Sequence, residues 1–245
     1  MRKLFSLVVA LAAACSVDNS PPAQAKAGTA GVSPAGLVVV ELFQSQGCSS
    51  CPPANANVNA LAERPGVLAL SFAVTYWDYL GWKDRFAQPA FTQRQRDYAK
   101  SGQSDGVYTP QVVINGSRAL VGANAATLGK AIRTAGPLGG GPLLSRSGST
   151  LSIGPLSIGT GASGFPAKVL LVTYDPRERE VPIKAGENTG KTLPHRNIVT
   201  ELKEAGTWTG KPLRIDLPAA ANPALRRAVL LQQGTGGRII AAMKL

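Results

Sequence analysis

Two cysteines separated by two residues form the most reactive pair of side chains in the sequence. They are Cys48 and Cys51, within the segment Gly47-Cys48-Ser49-Ser50-Cys51-Pro52. An apolar run over residues 37–43 precedes them and a stretch with helical spacing follows, which predicts a strand, a turn and a helix N-terminus. A sulfur at that point is expected to face unpaired backbone N–H groups and the positive end of the helix dipole, which lowers the pKa of the Cys48 thiol. The pattern predicts thiol–disulfide exchange, in which Cys48 attacks and Cys51 resolves the mixed disulfide.

Other interpretations of the pair are a purely structural disulfide, part of a zinc site, or a Cu(I) site. A structural zinc site takes four ligands, whereas the chain adds one histidine, His195, far along the sequence. Two thiolates suit the soft Cu(I) ion, but the sequence has only two methionines, Met1 and Met243. We therefore assign no metal ligands and no diffusible cofactor from the sequence.

Residues 1–25 have the pattern of an export signal. Arg2 and Lys3 form a positive start, a short apolar stretch follows, and Ala23-Gln24-Ala25 matches a cleavage site. The apolar stretch is too short to span a membrane. We expect a secreted or periplasmic protein, attached to a membrane only if Cys15, which follows a lipoprotein-like Leu-Ala-Ala-Ala, is lipidated.

The chain has a strongly basic composition. Its formal net charge is +12, and removal of residues 1–25 with Arg2, Lys3 and Asp18 leaves +11. The basic residues are scattered singly or in pairs, and no RNA-recognition or zinc-finger motif accompanies them. This distribution favours a solvated basic surface over nucleic-acid binding. The apolar fraction of 44% is sufficient for a folded core.

Residues 37–138 predict an α/β domain. An Asn115-Gly116 dipeptide marks a two-residue hairpin, and Thr109-Pro110 precedes that hairpin. The predicted elements, in order, are strand 37–43, a helix from residue 51, strand 67–74, helix 89–100, strands 111–114 and 119–121, and helix 124–135.

The other predicted segments are a linker over residues 26–36 and a second domain over residues 142–245, which follows a glycine-rich boundary. Short apolar runs recur in the second domain between turn residues, which predicts an antiparallel β-sandwich of seven or eight strands.

Longer sequence strings resemble a family of secreted, thioredoxin-like bacterial proteins known only as a domain of unknown function. These strings are residues 40–53, 76–84, 106–111, 186–188 and 195–197. The resemblance implies an α/β fold: a thioredoxin-like domain followed by an antiparallel β-sandwich. It implies a reaction only through the thioredoxin superfamily.

The resemblance also implies roles for single residues. Cys48 would be the nucleophile, Cys51 the resolving thiol, and Pro110 a cis-proline facing the pair. Glu41 is the nearest match to the buried acid of thioredoxins, but it lies one residue further from the cysteines, and on a strand that shift reverses the face. The substrate would be a disulfide-containing or dithiol protein, and a redox partner would reset the pair.

The aromatic insert of residues 76–84 has two interpretations. Tyr76, Trp77 and Asp78, together with Thr109, line a substrate groove at the end of a strand, or the aromatic residues pack the two domains together. Asp78 is either a desolvated proton carrier or a hydrogen-bonded structural residue.

A binding protein is the main alternative to an exchange catalyst. Its sandwich would bind an envelope partner and its Cys48–Cys51 disulfide would be static; a third possibility is a Cu(I) metallochaperone. Solvent access at Cys48 discriminates between the first two, because an active disulfide exposes its first sulfur and a static one buries it.

Overall fold

The computed structural model describes residues 31–32, 36–156 and 166–245. The predicted export signal, its Cys15 and most of the predicted linker lie outside these residues. Within the described part of the chain, no helix is long and apolar enough to cross a membrane.

The described chain is mostly β-structure. Three α-helices are described: α1 (Pro52–Asn59), α2 (Pro89–Lys100) and α3 (Ala125–Ala135). The strands of the first half are β1 (Gly31–Val32), β2 (Val38–Gln44), β3 (Val67–Ala73), β4 (Gln111–Ile114) and β5 (Arg118–Leu120). Those of the second half are β6 (Leu144–Ser147), β7 (Thr150–Ile153), β8 (Ala167–Asp175), β9 (Arg179–Pro182), β10 (Thr192–His195), β11 (Ile198–Trp208), β12 (Leu213–Asp216), β13 (Arg226–Gln233) and β14 (Ile239–Lys244).

Strand β2 is the central strand of the first half and is buried on both faces. It runs parallel to β3 and antiparallel to β4, which continues into β5. Helices α1 and α3 pack on the face that carries Val38, Val40 and Leu42, whereas α2 packs on the opposite face, around Phe43. Burial on both faces explains why the sequence of this strand is a continuous apolar run.

The second half continues the same sheet. The eight-stranded sheet has the order β14-β13-β8-β11-β3-β2-β4-β5, and β11 enters it parallel to β3 with Ile198 opposite Ser71. Asn197 extends this pairing, because its backbone oxygen accepts from Ser71 N–H at 2.9 Å and its side-chain amide donates to the Ala69 carbonyl at 2.8 Å.

The predicted fold class is therefore wrong. A thioredoxin-like α/β domain followed by a separate β-sandwich is not observed; the chain forms one mixed eight-stranded sheet with two smaller sheets and short helices. The physical reason is the edge of β3, whose backbone would be unpaired beside a strongly apolar strand without β11. The division at residues 139–141 into two folding units stays a prediction, although the sheet is continuous across it.

The two smaller sheets extend this architecture. One has the order β1-β6-β7-β12 and packs on the outer part of the large sheet around Trp208, Leu151 and Ile153. The other is the hairpin of β9 and β10. The predicted linker contributes β1 to the first of these sheets.

Several local predictions are confirmed. Helices occur at the three predicted places, and Asn124 caps α3 by accepting from Thr127 N–H at 2.9 Å. Asn115 and Gly116 both adopt positive φ angles, 50° and 62°, in the β4–β5 turn, although Ile114 pairs with Arg118 and the loop thus has one residue more than predicted. The Thr109–Pro110 peptide bond is cis.

A glycine at the contact between the two halves tests the shared core. Gly236 has φ +72°, and a Cβ there would overlap the backbone of Asp97 in α2, whereas Gly234 has φ +53° and open space around it. We expect Gly236→Ala to lower the free energy of unfolding by more than about 3 kcal/mol, and Gly234→Ala by only about 1–2 kcal/mol from the left-handed backbone. Urea unfolding should show one transition, coincident by tryptophan fluorescence and far-ultraviolet circular dichroism. Equal effects of the two substitutions would contradict the close approach of α2.

Candidate functional site

The cysteine pair lies where the sequence predicts it, in the turn between β2 and α1. Cys48 and Cys51 form a disulfide with their Cα atoms 5.4 Å apart. Cys51 is the N-cap residue of α1, and Pro52 and Pro53 form the first turn of that helix. A proline at the first helical position has a suitable φ angle and needs no N–H partner.

The backbone N–H groups around Cys48 already have partners. Cys48 N–H donates to the Ser45 carbonyl at 3.1 Å, and Cys51 N–H donates to the Cys48 carbonyl at 3.2 Å. Ser49 N–H donates to Glu187 Oε2 at 3.0 Å. The expectation that unpaired N–H groups would stabilise a Cys48 thiolate is therefore not met at these three donors.

The prolines reduce the supply of donors further. Proline has no N–H group, so Pro52 and Pro53 remove two of the donors that the first turn of a helix otherwise presents. Cys48 Sγ instead lies 3.4 Å from the hydroxyl of Ser50. The single proton of this hydroxyl can be donated either to the sulfur or to the Thr109 carbonyl, which also lies 3.4 Å from Ser50 Oγ.

Both sulfur-bearing residues are fully buried. Cys48 and Cys51 have 0% relative exposure, although Ser49 and Ser50 between them are exposed. Because an active disulfide is expected to expose its first sulfur, this burial favours a static disulfide.

The tip of the β9–β10 hairpin packs onto the cysteine turn. Asn188 is fully buried, and its side-chain amide donates to the carbonyls of Gln46 and Cys48, both at 2.9 Å. Lys191 Nζ donates to Asn188 Oδ1 at 3.0 Å and orients that amide. With the bond from Ser49 to Glu187, the tip makes three hydrogen bonds to the turn.

Thr109 and Trp77 lie beside the cysteine turn, and the buried Pro110 follows Thr109 in the chain. Ser50 Oγ donates to the Thr109 carbonyl at 3.4 Å, which ties the cysteine turn to the cis peptide. Trp77 Nε1 donates to Thr109 Oγ1 at 2.7 Å, and the Cβ of Trp77 lies against Gly47. Thr109 and Trp77 therefore approach the turn at Ser50 and Gly47.

Glu41 is not brought to the pair. Its carboxylate is fully buried on the face of β2 that α2 covers, where it forms an ion pair with Arg94 Nε at 2.8 Å and accepts from the Tyr98 hydroxyl. Helix α1, which carries Cys51, packs on the opposite face. Because side chains alternate between the two faces of a strand, the one-residue offset in the sequence places Glu41 on the face of β2 opposite to α1.

The rest of the aromatic insert has mainly packing roles. Tyr76 is half-buried and its hydroxyl donates to Gln95 Oε1 at 3.2 Å. Burial raises the pKa of Tyr76 above its usual value. Asp78 accepts from Asp84 N–H at 3.2 Å. This bond favours the interpretation of Asp78 as a hydrogen-bonded structural residue over that of a proton carrier.

Asp84 is a buried acid that the sequence reasoning missed. It is 1% exposed and accepts from Gln46 N–H at 2.8 Å and Phe86 N–H at 2.9 Å, so it holds the turn that leads to Cys48. Burial raises the pKa of Asp84 to about 6, against the lowering effect of these hydrogen bonds. Its signal in the sequence was its place at the end of the aromatic string.

His195 is a buried histidine, and no group of metal-ligating side chains surrounds it among the described residues. It is 1% exposed and packs edge-on against Phe86. Burial lowers the pKa of His195 to about 4, and the charge of Arg85 adds to this effect. Among the described residues, no group of three or more His, Cys, Asp or Glu side chains is placed to hold a metal ion.

Comparisons with known proteins identify relatives but no activity. Residues 39–232 match a family described as "Protein of unknown function (DUF1223)". A crystal structure of protein AGR_C_4864 from Agrobacterium tumefaciens is 31% identical with a TM-score of 0.69, covering 86% of this chain and 95% of that one. HBP35 of Porphyromonas gingivalis shares the fold at 12% identity and a TM-score of 0.56, over 86% of this chain and 75% of that one. No curated protein sequence matches the chain.

The structure assigns Glu41 to stability. Glu41→Gln removes the charge that pairs with buried Arg94, and we expect it to lower the free energy of unfolding by about 3–5 kcal/mol. Because Glu41 does not contact the cysteines, the reduction potential of the pair should stay unchanged. Glu201→Gln, at the exposed pair with Lys203, is the control and should cost less than about 1 kcal/mol. A changed reduction potential of the Cys48–Cys51 pair in Glu41→Gln would show that Glu41 acts on the redox site.

Asp84 and His195 should have opposite effects on stability in mild acid. The pKa of Asp84 is raised to about 6, so its contribution to stability increases as the pH falls from 7 to 4. The pKa of His195 is lowered to about 4, so its contribution is present above its unfolded value and is lost as the pH falls towards 4. We expect Asp84→Asn to lose roughly 2–3 kcal/mol more than the parent between pH 7 and 4 in urea titrations.

The matched control for this pH dependence is His195→Gln. It should show the reverse, with stability rising relative to the parent as the pH falls, because Asp84 then acts alone. Parallel pH profiles for the parent and both variants would contradict these assignments.

Proposed function

The chain belongs to the DUF1223 family of proteins of unknown function, and we propose that it is an exported thiol–disulfide oxidoreductase whose redox pair is Cys48 and Cys51. The observation that carries the proposal is the convergence at one place of a two-residue-spaced disulfide, the start of a helix and the cis Thr109–Pro110 segment. The resemblance to the thioredoxin superfamily supports only the exchange chemistry of Cys48 and Cys51, and it does not extend to the fold.

The reaction balances as two thiolate displacements. The Cys48 thiolate attacks one sulfur of a substrate disulfide, a mixed disulfide forms, and the first substrate sulfur leaves and takes a proton. The Cys51 thiolate then attacks Cys48 Sγ, which closes the Cys48–Cys51 disulfide and releases the second substrate thiol. Run in this direction, two electrons pass from the pair to the substrate and a separate dithiol partner restores the pair, whereas the oxidised pair runs the same steps backwards as an oxidant.

The residues beside the disulfide have defined roles in this reaction. The Ser50 hydroxyl, 3.4 Å from Cys48 Sγ, supplies a hydrogen bond to the thiolate. Thr109 and Trp77, both partly exposed beside the cysteine turn, would contact the substrate chain. Tyr79, 80% exposed in the same insert, offers the substrate an aromatic contact.

Access to the pair requires the hairpin tip to move. The 0% exposure of Cys48 prevents attack in the closed structure. The tip is held to the turn by the bonds from Asn188 and the bond to Glu187, and a segment held by so few bonds opens far more readily than the sheet. Exchange therefore proceeds from an opened form.

Export is the second part of the proposal. The pattern of residues 1–25 supports it, and an oxidising compartment suits a protein whose only cysteines beyond the leader form a disulfide. The substrates would be exported proteins with disulfides or paired thiols.

A static disulfide in an envelope binding protein is the second candidate. The complete burial of both cysteines and the engagement of the surrounding N–H groups favour it. In that case the disulfide serves only to brace the turn before α1.

The deciding experiment follows reduction of the native disulfide by dithiothreitol. In a Cys15→Ser background, we expect reduction at a rate that is independent of urea well below the unfolding midpoint, because local opening suffices. Alkylation and mass spectrometry measure the reduced fraction. If the reduction rate instead rises with urea in parallel with global unfolding, the proposed catalyst is ruled out and the disulfide is static.

A trapping pair of variants tests the assigned order of attack. Cys51→Ser should accumulate a mixed disulfide with a model protein disulfide, because the resolving thiol is missing. Cys48→Ser is the matched control and should accumulate at least tenfold less, because the proposed order makes Cys48 the attacking thiol and Cys51 only the resolving thiol. Equal trapping by both variants would overturn the order.

A further inference from the structure

We propose that Glu187 is a positioning residue that disfavours the thiolate of Cys48, so that the pair acts as an electron donor to substrate disulfides. This inference rests on the proposed function and adds a direction of electron flow to it. It concerns a residue of the β9–β10 hairpin tip, outside the segment that carries the cysteines.

The contact between Glu187 and the cysteine turn is direct. Glu187 Oε2 accepts the N–H of Ser49, the residue that follows Cys48, at 3.0 Å. The Ser49 hydroxyl and this backbone bond hold the pKa of Glu187 below its usual value, so the carboxylate is charged at neutral pH. Among the described residues, Glu187 makes no ion pair, and the nearby ammonium of Lys191 bonds Asn188 Oδ1 at 3.0 Å.

This carboxylate takes a backbone donor of the residue next to Cys48. A thiolate beside a helix N-terminus is stabilised by free N–H groups and by the absence of other negative charge. Here the Ser49 N–H is taken by Glu187, the Cys51 N–H by the Cys48 carbonyl, and Pro52 supplies none. A thiolate at Cys48 would keep the Ser50 hydroxyl as a possible donor, but the N–H of Ser49 would be held by a carboxylate of like charge.

The hairpin holds the carboxylate in this position. Asn188, next in the chain, is fully buried and bonds the carbonyls of Gln46 and Cys48. Gly186, on the other side, has φ +78°, and its carbonyl accepts from Thr189 N–H at 3.2 Å within the hairpin tip. Glu187 is therefore fixed between two anchored neighbours although its own side chain is exposed.

The effect on redox balance follows from the charges of the two states. The disulfide is neutral, so Glu187 leaves its energy nearly unchanged, whereas the reduced state is destabilised to the extent that it carries a thiolate. A dithiol pair whose reduced form is destabilised gives its electrons away. Thus Cys48 attacks substrate disulfides, the pair ends as the disulfide, and an external dithiol protein supplies the next two electrons.

The test compares Glu187→Gln with the parent in the full chain carrying Cys15→Ser. Glutamine keeps an oxygen for the Ser49 N–H and removes the charge. We expect the acid dissociation constant of the Cys48 thiol to rise about 3- to 10-fold, measured by the pH dependence of iodoacetamide alkylation of the reduced protein. At pH 9, where thiolate is populated, the equilibrium constant for reduction by dithiothreitol should rise by a similar factor of about 3 to 10.

Two further variants complete the test. Glu187→Ala also frees the Ser49 N–H and should shift both constants at least as far as glutamine does. Glu180→Gln removes an exposed charge from the stem of the same hairpin and should leave both constants unchanged. Salt at 1 M should shrink the effect of Glu187→Gln, because it screens an exposed charge.

The outcomes separate this inference from the proposed function. Native-state exchange with unchanged constants in Glu187→Gln overturns the role of Glu187 and leaves the exchange activity standing. Shifted constants without native-state exchange overturn the donor role and the catalyst together, and reduce Glu187 to a stabiliser of a static disulfide. Exchange together with shifted constants supports both.

Discussion

The pairing of β11 with the edge of β3 is the contact on which the rest of the structure depends. It is short, with Ile198 opposite Ser71, and Asn197 extends it through its own amide and carbonyl. Without it β3 would expose an unpaired edge next to a buried apolar strand. With it, β8, β13 and β14 join the sheet and the two halves of the chain share one core.

The same pairing determines what lies above the disulfide. Since β10 ends directly before β11, the β9–β10 hairpin must cross α1, where Asn59 bonds the Pro194 carbonyl at 3.0 Å and Arg196 N–H at 3.1 Å. Its tip then reaches the turn before α1 and places Asn188 and Glu187 on that turn. The N–H of Ser49, next to Cys48, is therefore bonded by a carboxylate from a distant part of the chain.

A buried polar network joins the halves from the other face of β2. Arg94 pairs with Glu41, donates to Tyr98, and reaches Gln232 on β13 at 2.9 Å. A buried charge is tolerated only where its partners are all present. Glu41 is thus committed to architecture, which is why it cannot also serve as the acid beneath the cysteines.

The sequence by itself determined the local features: the strand and helix around Cys48 and Cys51, and the Asn115-Gly116 turn. Each depends on residues adjacent in the chain, whose propensities and spacing can be read directly. The cis Thr109–Pro110 bond was implied by the family resemblance and not by local propensity, because most X-Pro bonds in folded proteins are trans. Only the tertiary structure decided that the second half extends the first sheet, that both cysteines are buried, and that Glu187 and Asn188 lie on their turn. The physical reason is that strand edges pair and charges meet across more than a hundred residues, and apolar periodicity carries no information about which edge a strand will join.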